Sequence, residues 1–486
     1  MKSTLLAATS AALLGGCLLS PAQAQTAPPA TQQQPDDGPG RPANAPNSVT
    51  PTTLAFAPLP YDEDYTRYAD PTIRDTPWAK MKYIPIAGNA FVSLGGEFRP
   101  RVQYLDNLNF GRGNQEQGFD VQLRSRVWAD VHATSWLRVF GELQSGVTRG
   151  LDYPAGPVDT NPLEIHQGFV ELSQPLGTGT DRVFLRLGRQ EIAFGKSRLI
   201  DTRNAANTRR SFQAARVQAT TGAWRFGGWI GHPLRDVVGT LNDPADTLYD
   251  VYMVNVARKV GALLPGSEVE LLYIHTDHDA GAAVFRSRRD TVSVRLAGRE
   301  HALDYDVEAV RQTGRTADGR TVDAWFLGVD AAYQLAGAWQ PRVALRADVG
   351  SGDTDPNDGK VGSFDFLFGR GMTLTPELGY TNLISAGPAF GVKPSAKLST
   401  EVTAQGLWRT STADGLYNMG PSPVRGGAEG RARYVGLRST ARVEYQWNRL
   451  VASGLYVNRT FAGDFLKETG DGKSLFYSTM YALIRL

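Results

Sequence analysis

From Phe91 onward the sequence alternates apolar and polar residues with a period of two, and the polar positions carry charge over most of the chain. In FVSLGGEFRPRVQY, Val92, Leu94, Phe98, Val102 and Tyr104 fall on one face of an extended chain. Ser93, Glu97, Arg99, Arg101 and Gln103 fall on the other, because successive strand side chains point to opposite sides. The pattern returns at 120–132, 291–299, 303–309, 342–349 and 435–445, and the chain ends with Met480, Ala482, Ile484 and Leu486 on one face. A long series of strands, each with an apolar face and an ionic face, has few ways to fold.

A half-buried soluble sheet also alternates, so the connections decide. Strands can be drawn at approximately 91–104, 119–132, 136–148, 164–174, 181–192, 211–221, 223–232, 248–259, 266–277, 288–299, 301–313, 322–335, 340–350, 384–393, 397–411, 432–447, 450–461 and 474–486. Between these eighteen, long connections (105–118, 149–163, 193–210, 233–247, 351–383, 412–431) alternate with short ones (133–135, 175–180, Gly222, 336–339, 448–449). An up-and-down barrel with long outer loops and tight periplasmic turns requires that rhythm, whereas a Greek-key sandwich does not. Lipid offers no partner to an open sheet edge, so a spanning sheet must close. The expected fold class is therefore all-β: a closed antiparallel up-and-down transmembrane β-barrel of about 18 strands. Tyr104, Trp136, Trp224, Tyr333, Trp408 and Tyr445, near strand ends, are candidates for interfacial girdles. A barrel of roughly 16–18 strands encloses an aqueous lumen, which lets the inner face hold charge.

The residues before Phe91 divide into three segments. Residues 1–24 read as a secretory signal, with Lys2, an apolar run from Leu5 to Leu14, and the cleavage site Ala22-Gln23-Ala24. A lipoprotein signal, Leu14-Gly15-Gly16-Cys17 with lipid on Cys17, is the rival reading. Cys17 is the single cysteine, so a chain cleaved after Ala24 has no disulfide and no cysteine-based zinc site. Residues 25–60 hold nine prolines among Gln, Thr and Ala and read as a disordered tail. Residues 61–90 read as a periplasmic lead-in, and 91–486 as the barrel. No later run reaches ~18 apolar residues, as a helical span would need.

A net charge of +2 gives no global pull toward nucleic acid or anionic lipid, so any charge function must come from local clustering. The strongest cluster is Arg182 to Arg216, with eight Arg and one Lys against Glu191 and Asp201. Its middle, with Lys196, Arg198, Arg203, Arg209 and Arg210, falls in the third outer loop. Arginine presents a planar fork suited to carboxylate and phosphate. Folded inward, this loop narrows the lumen with positive charge and selects anions. Folded outward, it is a solvated basic loop facing acidic groups of surface lipid. Inward arginines of the strands, among them Arg124, Arg126, Arg186 and Arg346, would extend the charge into a ladder. Carboxylates such as Glu97, Asp306, Glu308 and Asp330 oppose it, and ordinary inter-strand pairing is the competing use. The candidate solute contacts are Arg186, Arg189, Glu191, Lys196, Arg198, Asp201, Arg203, Arg209 and Arg210, with Arg124, Arg126 and Arg346.

Nothing marks a reaction. There is no G-x-S-x-G, H-E-x-x-H or P-loop, and the pair Asp304/Asp306 does not stand apart from its neighbours. The run from Gly350 to Gly359 is spaced like a calcium loop, but its glycine is one position late and no terminal Glu follows, so a Gly-Asp-Pro turn is expected. His275, Asp277, His278 and Asp279 sit at a strand-to-loop edge, where polar clusters are common. No cofactor, metal or catalytic residue is expected.

The segment FLRLGRQEIAFGKSRLIDTRNAANTRRSF resembles the corresponding part of the alginate export family of outer-membrane proteins. So do LRADVGSGDTDPNDG with the Phe-rich FDFLFGRG after it, and the lead-in DEDYTRYADPTIRDTPWAKMKYIPI, so the resemblance spans roughly 61–486. It implies an eighteen-stranded barrel and an arginine-rich constriction that passes a polyuronate. Arg186, Arg189 and Asp201 match the family's pattern, whereas Glu191 stands in place of another Arg. Leu450, Val451 and Ala452 replace basic residues, and Leu486 replaces the usual terminal aromatic.

The expectation is a monomeric outer-membrane channel, contacting outer-membrane lipid, for passive passage of an anionic polysaccharide or oligosaccharide or a small anionic solute. Periplasmic export proteins are possible partners, and nucleic acid is not one. A general or aromatic-acid porin is the alternative. An outer-membrane enzyme acting on acidic polysaccharide and an adhesin-like barrel with a plugged lumen are the rivals.

Overall fold

The computed structural model describes residues 56–486, apart from 113–116, 151–154, 178, 262–265, 280–284, 375–376 and 420–421. Eighteen strands form the wall. The first six are β1 (Phe91–Asp106), β2 (Gln117–His132), β3 (Leu137–Arg149), β4 (Asn161–Pro175), β5 (Arg182–Gln190) and β6 (Phe212–Thr221). Next come β7 (Trp224–Pro233), β8 (Tyr249–Lys259), β9 (Ser267–His278), β10 (Ser287–Glu300), β11 (Leu303–Thr316) and β12 (Thr321–Gln334). The last six are β13 (Arg342–Gly350), β14 (Leu383–Ser395), β15 (Leu398–Arg409), β16 (Tyr434–Gln446), β17 (Val451–Ala462) and β18 (Leu475–Arg485). Each pairs antiparallel with the next, and β18 returns to β1 with Arg485 opposite Glu97 and Phe476 opposite Asp106. Closure leaves no spanning strand with a free edge in lipid.

No strand end departs from its sequence-drawn position by more than three residues. β4 begins at Asn161 because Asn161 still pairs with Gly146 beyond the apolar alternation. β11 runs to Thr316, opposite Ser287. The long-short rhythm has one exception. Connection 317–320, on the outer end, is shorter than 260–266 and 335–341 on the periplasmic end. The Thr316 amide closes this turn onto the Arg320 carbonyl oxygen at 2.9 Å, with Gly319 at φ 90°.

Apolar side chains on the outward parity face the membrane: Val127 is 57% exposed and Met480 62%. Trp136, Trp224 and Tyr333 are exposed at periplasmic strand ends, and Tyr445 is partly exposed there; Tyr104 and Trp408 take the outer ends. The inward parity is buried, including Arg99, Arg124, Arg126, Arg225 and Arg438. They are buried because the lumen holds chain.

From the periplasmic end the lead-in enters the barrel. Phe56 packs with Ala452, Tyr481 and Leu483, while Leu59 and Tyr61 pack with Trp128, Phe140 and Phe169. This corrects the extent of the disordered tail, whose last residues, 56–60, are ordered here. FAPLP combines two prolines, which restrict the unfolded backbone, with two large apolar side chains, so ordering costs little and buries much. The remaining tail and the signal segment, with Cys17, lie outside the described residues. Helix α1 (Pro77–Lys82) follows, with the Thr76 hydroxyl accepting from the Ala79 amide at 3.1 Å. Its Lys82 Nζ donates to the carbonyl oxygens of Leu94 and Leu486 at 2.9 and 2.8 Å. From the outer end, two loops, 191–211 and 351–382, fold inward. Phe364, Phe366 and Phe368 join Phe212, Phe326 and Tyr380 in an apolar cluster inside the wall.

Candidate functional site

The 191–211 loop crosses the lumen between an acidic wall and a basic one. Arg198 reaches β11, β12 and β13. Its guanidinium donates to Asp306 at 2.5 Å, Asp330 at 2.9 Å, Glu308 at 3.3 Å and Asp348 at 3.4 Å. Arg99 and Arg101, from β1, donate to the backbone oxygens of Asn204 (2.8 Å), Ala206 (2.7 Å) and Ala205 (2.6 Å). Arg124 of β2 adds a bond to Asn204 O at 3.1 Å. The loop thus presents its cation to carboxylates and its carbonyl dipoles to guanidiniums. Gly195 enters the loop at φ 53°, and a Cβ there would lie 3.1 Å from Arg295 Cδ.

The two inward loops also hold each other. The Phe368 amide donates to Leu199 O at 3.0 Å, and the Asp201 amide donates to Phe368 O at 3.0 Å. Arg370 N donates to Ser197 O at 2.8 Å.

Glu191 anchors the start of the first loop in a buried charge cluster. Its carboxylate accepts from Arg209 Nη2 at 2.7 Å, contacts His166 Nε2 at 2.8 Å and meets Arg126 Nη2 at 3.4 Å. Burial opposes this charge, but Arg209 and Arg126 outweigh burial and hold the carboxyl well below the usual carboxylate range. Glu142, His166 and Glu191 bring ligand atoms within 4.8 Å of one another. Arg126 already binds Glu142 at 2.7 Å, and Arg209 binds Glu191, so this group is an ion cluster whose guanidiniums would repel a metal ion. The sequence did not single out His166. A bulge sets Glu142 opposite Gln167 and Leu143 opposite Ile165, which turns His166 inward off the two-residue period.

The predicted residues separate into groups. Lys196, Arg198, Asp201, Arg203, Arg209 and Arg210 all lie in the inward-folded loop. Lys196 Nζ is 3.8 Å from Asp330. Asp201 accepts the Arg203 amide at 2.7 Å and so shapes the turn, while Arg203 pairs with Asp236. Arg210 donates to Phe368 O at 2.5 Å. On the wall, Arg186 pairs with Glu171 and lies 4.1 Å from the Tyr61 ring centroid. Arg124 pairs with Glu97 at 2.7 Å, and Arg346 with Glu401 at 2.7 Å. Arg189 does not join them. Three residues from Arg186, it has the opposite strand parity and shares the outer face with Leu185 and Leu187. There it donates to Ile165 O at 2.6 Å and Asp243 O at 3.0 Å, so it fastens the 234–248 loop to the outer wall.

The other polar clusters are occupied locally. His275 meets Asp290 at 2.9 Å, Asp277 binds Arg288 at 2.7 Å, and His278 stacks on Tyr249. The carboxylates of Asp353, Asp355 and Asp358 accept the amides of Asp355, Asn357 and Lys360 at 3.2, 3.0 and 2.8 Å, a chain of turns. Asp306 is bound by Arg295 at 2.6 Å and by Arg198.

Several solved porins share this fold. Pseudomonas aeruginosa OccK8 (OprE) aligns with a TM-score of 0.54 at 11% identity, covering 81% of this chain and 98% of its own. OccK5 (OpdH) from the same organism aligns at 0.52 and 11%, with coverages of 81% and 98%. OccK2 (OpdF), solved in complex with glucuronate, aligns at 0.51 and 9%, with coverages of 81% and 96%. No curated protein sequence matches the chain. The sequence model of the family described as alginate export matches residues 91–478. A closed eighteen-strand barrel with that match is a channel of the bacterial outer membrane. The chain belongs to the alginate export family.

Proposed function

We propose that this channel passes an anionic polysaccharide or oligosaccharide, without chemical change, through a constriction lined by Arg99, Arg101, Arg124 and Arg126. One observation carries the reading. Among the described residues, Arg99 and Arg101 make no ion pair; the 204–206 backbone oxygens and the Gln122 side-chain oxygen take their hydrogens. Carbonyl dipoles satisfy the hydrogen bonds without cancelling the charge. When the 191–211 loop yields, these arginines face the lumen as forks for a carboxylate. Family membership and the glucuronate bound to OccK2 point to a uronate.

A second reading, a porin for small or aromatic acids, draws on Glu191. It sits among Arg126, Arg209 and His166, where the family pattern has another arginine, and it lowers the positive charge available to a polymer. Planar-bilayer recording of the purified chain tests both. Anion-selective current that oligouronates block with increasing affinity as they lengthen supports the polymer reading. Block by benzoate-sized acids alone supports the second. Absence of current, with turnover of a uronate polymer, overturns both.

A further inference from the structure

The lumen face of β16 and β17 holds a contiguous set of buried polar side chains. Arg438 Nε and Nη1, the Tyr456 hydroxyl, both amide atoms of Asn458 and the Thr460 hydroxyl have no hydrogen-bond partner among the described residues. All four side chains are buried, with Asn458 and Thr460 at 0% exposure. They are neighbours in register. Arg438 faces Thr460, Thr440 faces Asn458, and Arg442 faces Tyr456. Tyr456, Asn458 and Thr460 therefore form three successive inward rungs along roughly 13 Å of one strand.

Unpaired buried polar groups are costly, and Arg124 on β2 limits that cost by pairing with Glu97. Here Arg438 Nη2 donates to Ser385 Oγ and Gln405 Oε1 at 2.9 Å each, and the cover over the remaining groups is partly apolar. Met372, from the 351–382 loop, sets its sulfur 3.9 Å from Arg438 Nη2 and belongs with Tyr456 to the same apolar cluster. Thioether and aromatic carbon cannot pay hydrogen bonds back to an amide and two hydroxyls. The loop leaves these groups unmatched, and they describe what fits better. Asn458 offers a donor and an acceptor, Tyr456 and Thr460 each offer both, and Arg438 offers two cationic N–H groups. A sugar ring bearing hydroxyls and one carboxylate is the complement.

We propose that the β16–β17 wall, at Arg438, Tyr456, Asn458 and Thr460, is a uronate subsite that solute occupies by displacing the Met372 segment of the 351–382 loop. This rests on the uronate reading above but names a different wall from the Arg99–Arg126 constriction.

The test is oligouronate block of single-channel current, comparing the full chain with a Tyr456→Phe, Asn458→Leu, Thr460→Val triple variant. Replacing unpartnered buried polar groups by apolar groups of like shape does not endanger the fold. N458L alone serves as a second variant if the triple variant expresses poorly. The expected result is block weakened by about tenfold or more in the triple variant, from the loss of several hydrogen bonds, with chloride conductance kept. If the wild-type chain is blocked and the variants are blocked equally, within about twofold, the subsite is overturned while the uronate reading stands. If oligouronates do not block the wild-type chain, both fall together.

Discussion

The Tyr61 hydroxyl donates to the Glu191 carbonyl oxygen at 2.5 Å, so a residue of the periplasmic lead-in props the base of an outer loop from inside the barrel. The Tyr61 ring meets Phe169 edge-on at 5.5 Å, Arg186 covers it, and Arg138 holds its backbone oxygen at 2.6 Å. Lead-in and loop are therefore one mechanical unit. Tyr61→Ala removes the ring and the strut together. Its cost to docking of the lead-in is about 3–5 kcal/mol, as for other buried aromatics. Tyr61→Phe keeps the ring and loses about 1 kcal/mol. Single-channel recording should show larger or more frequent openings for Tyr61→Ala than for Tyr61→Phe. Openings in both variants equal to those of the wild-type chain would mean that the lead-in does not brace the loop.

Arg198 is the loop's attachment to the acidic wall. Arg198→Met leaves Asp306, Glu308, Asp330 and Asp348 without their shared cation, though Arg295 still serves Asp306 and Arg346 stands 3.7 Å from Asp330. Breaking a buried pair from one side costs about 3–5 kcal/mol, and the remaining partners bring this toward the lower figure. The lumen gains net negative charge. The reversal potential in a salt gradient should shift toward cation preference, and thermal unfolding should move down. An unchanged reversal potential would place Arg198 away from the conducting path.

Glu191 works in the opposite sense. Its carboxyl is held well below the ordinary value of 4.5, so it contributes stability that is present above pH ~4.5 and is lost as pH falls toward its folded value. Glu191→Gln should shift selectivity toward anions, because Arg126 and Arg209 lose a counter-charge. It should also destabilise the barrel at neutral pH and flatten the loss of stability on acidification. Thermal denaturation at several pH values, beside reversal potentials, reads both effects.

The wall was legible in the sequence because lipid imposes a strict period. Val127 and Met480 cannot change parity without exposing Arg126 or Thr479 to hydrocarbon, and the charged alternation follows from that. The lumen is less strict. Charge in the loop allowed inward or outward folding alike, and composition could not say that Arg198 crosses to Asp306 while Asn204 faces Arg99. Arg189 stands with Arg186 through the family motif, whereas strand parity already separates them. His166 needed a bulge, which one sequence does not announce. Phe56 and Leu59 lie in a stretch whose proline content reads as disorder, and only the cavity offered by Ala452, Tyr481 and Phe140 makes them ordered.

The 234–248 loop is also held at Asp243, whose carboxyl interacts with that of Glu164. The Asp243 carboxylate accepts the Val237 backbone amide at 2.7 Å and the Asn161 side-chain Nδ2 at 2.8 Å, and the Leu241 amide donates to Leu163 O at 2.8 Å. Burial first, and then contact with Glu164, push Asp243 up to about 6. Two carboxyls in contact need a shared proton, so protonation stabilises the docked loop. For a carboxyl raised in the folded state, that stability is full below its ordinary value of 3.8 and is lost as pH rises through about 6. Amide exchange of the 234–248 segment, corrected for its intrinsic pH dependence, should therefore quicken between about pH 4 and 6 and level off above that. Asp243→Asn supplies a permanent donor to Glu164 and should abolish that dependence while keeping the loop protected at pH 7. Pinning of the loop mainly by Arg189 would instead give pH-independent protection in the wild-type chain and its loss in Arg189→Met.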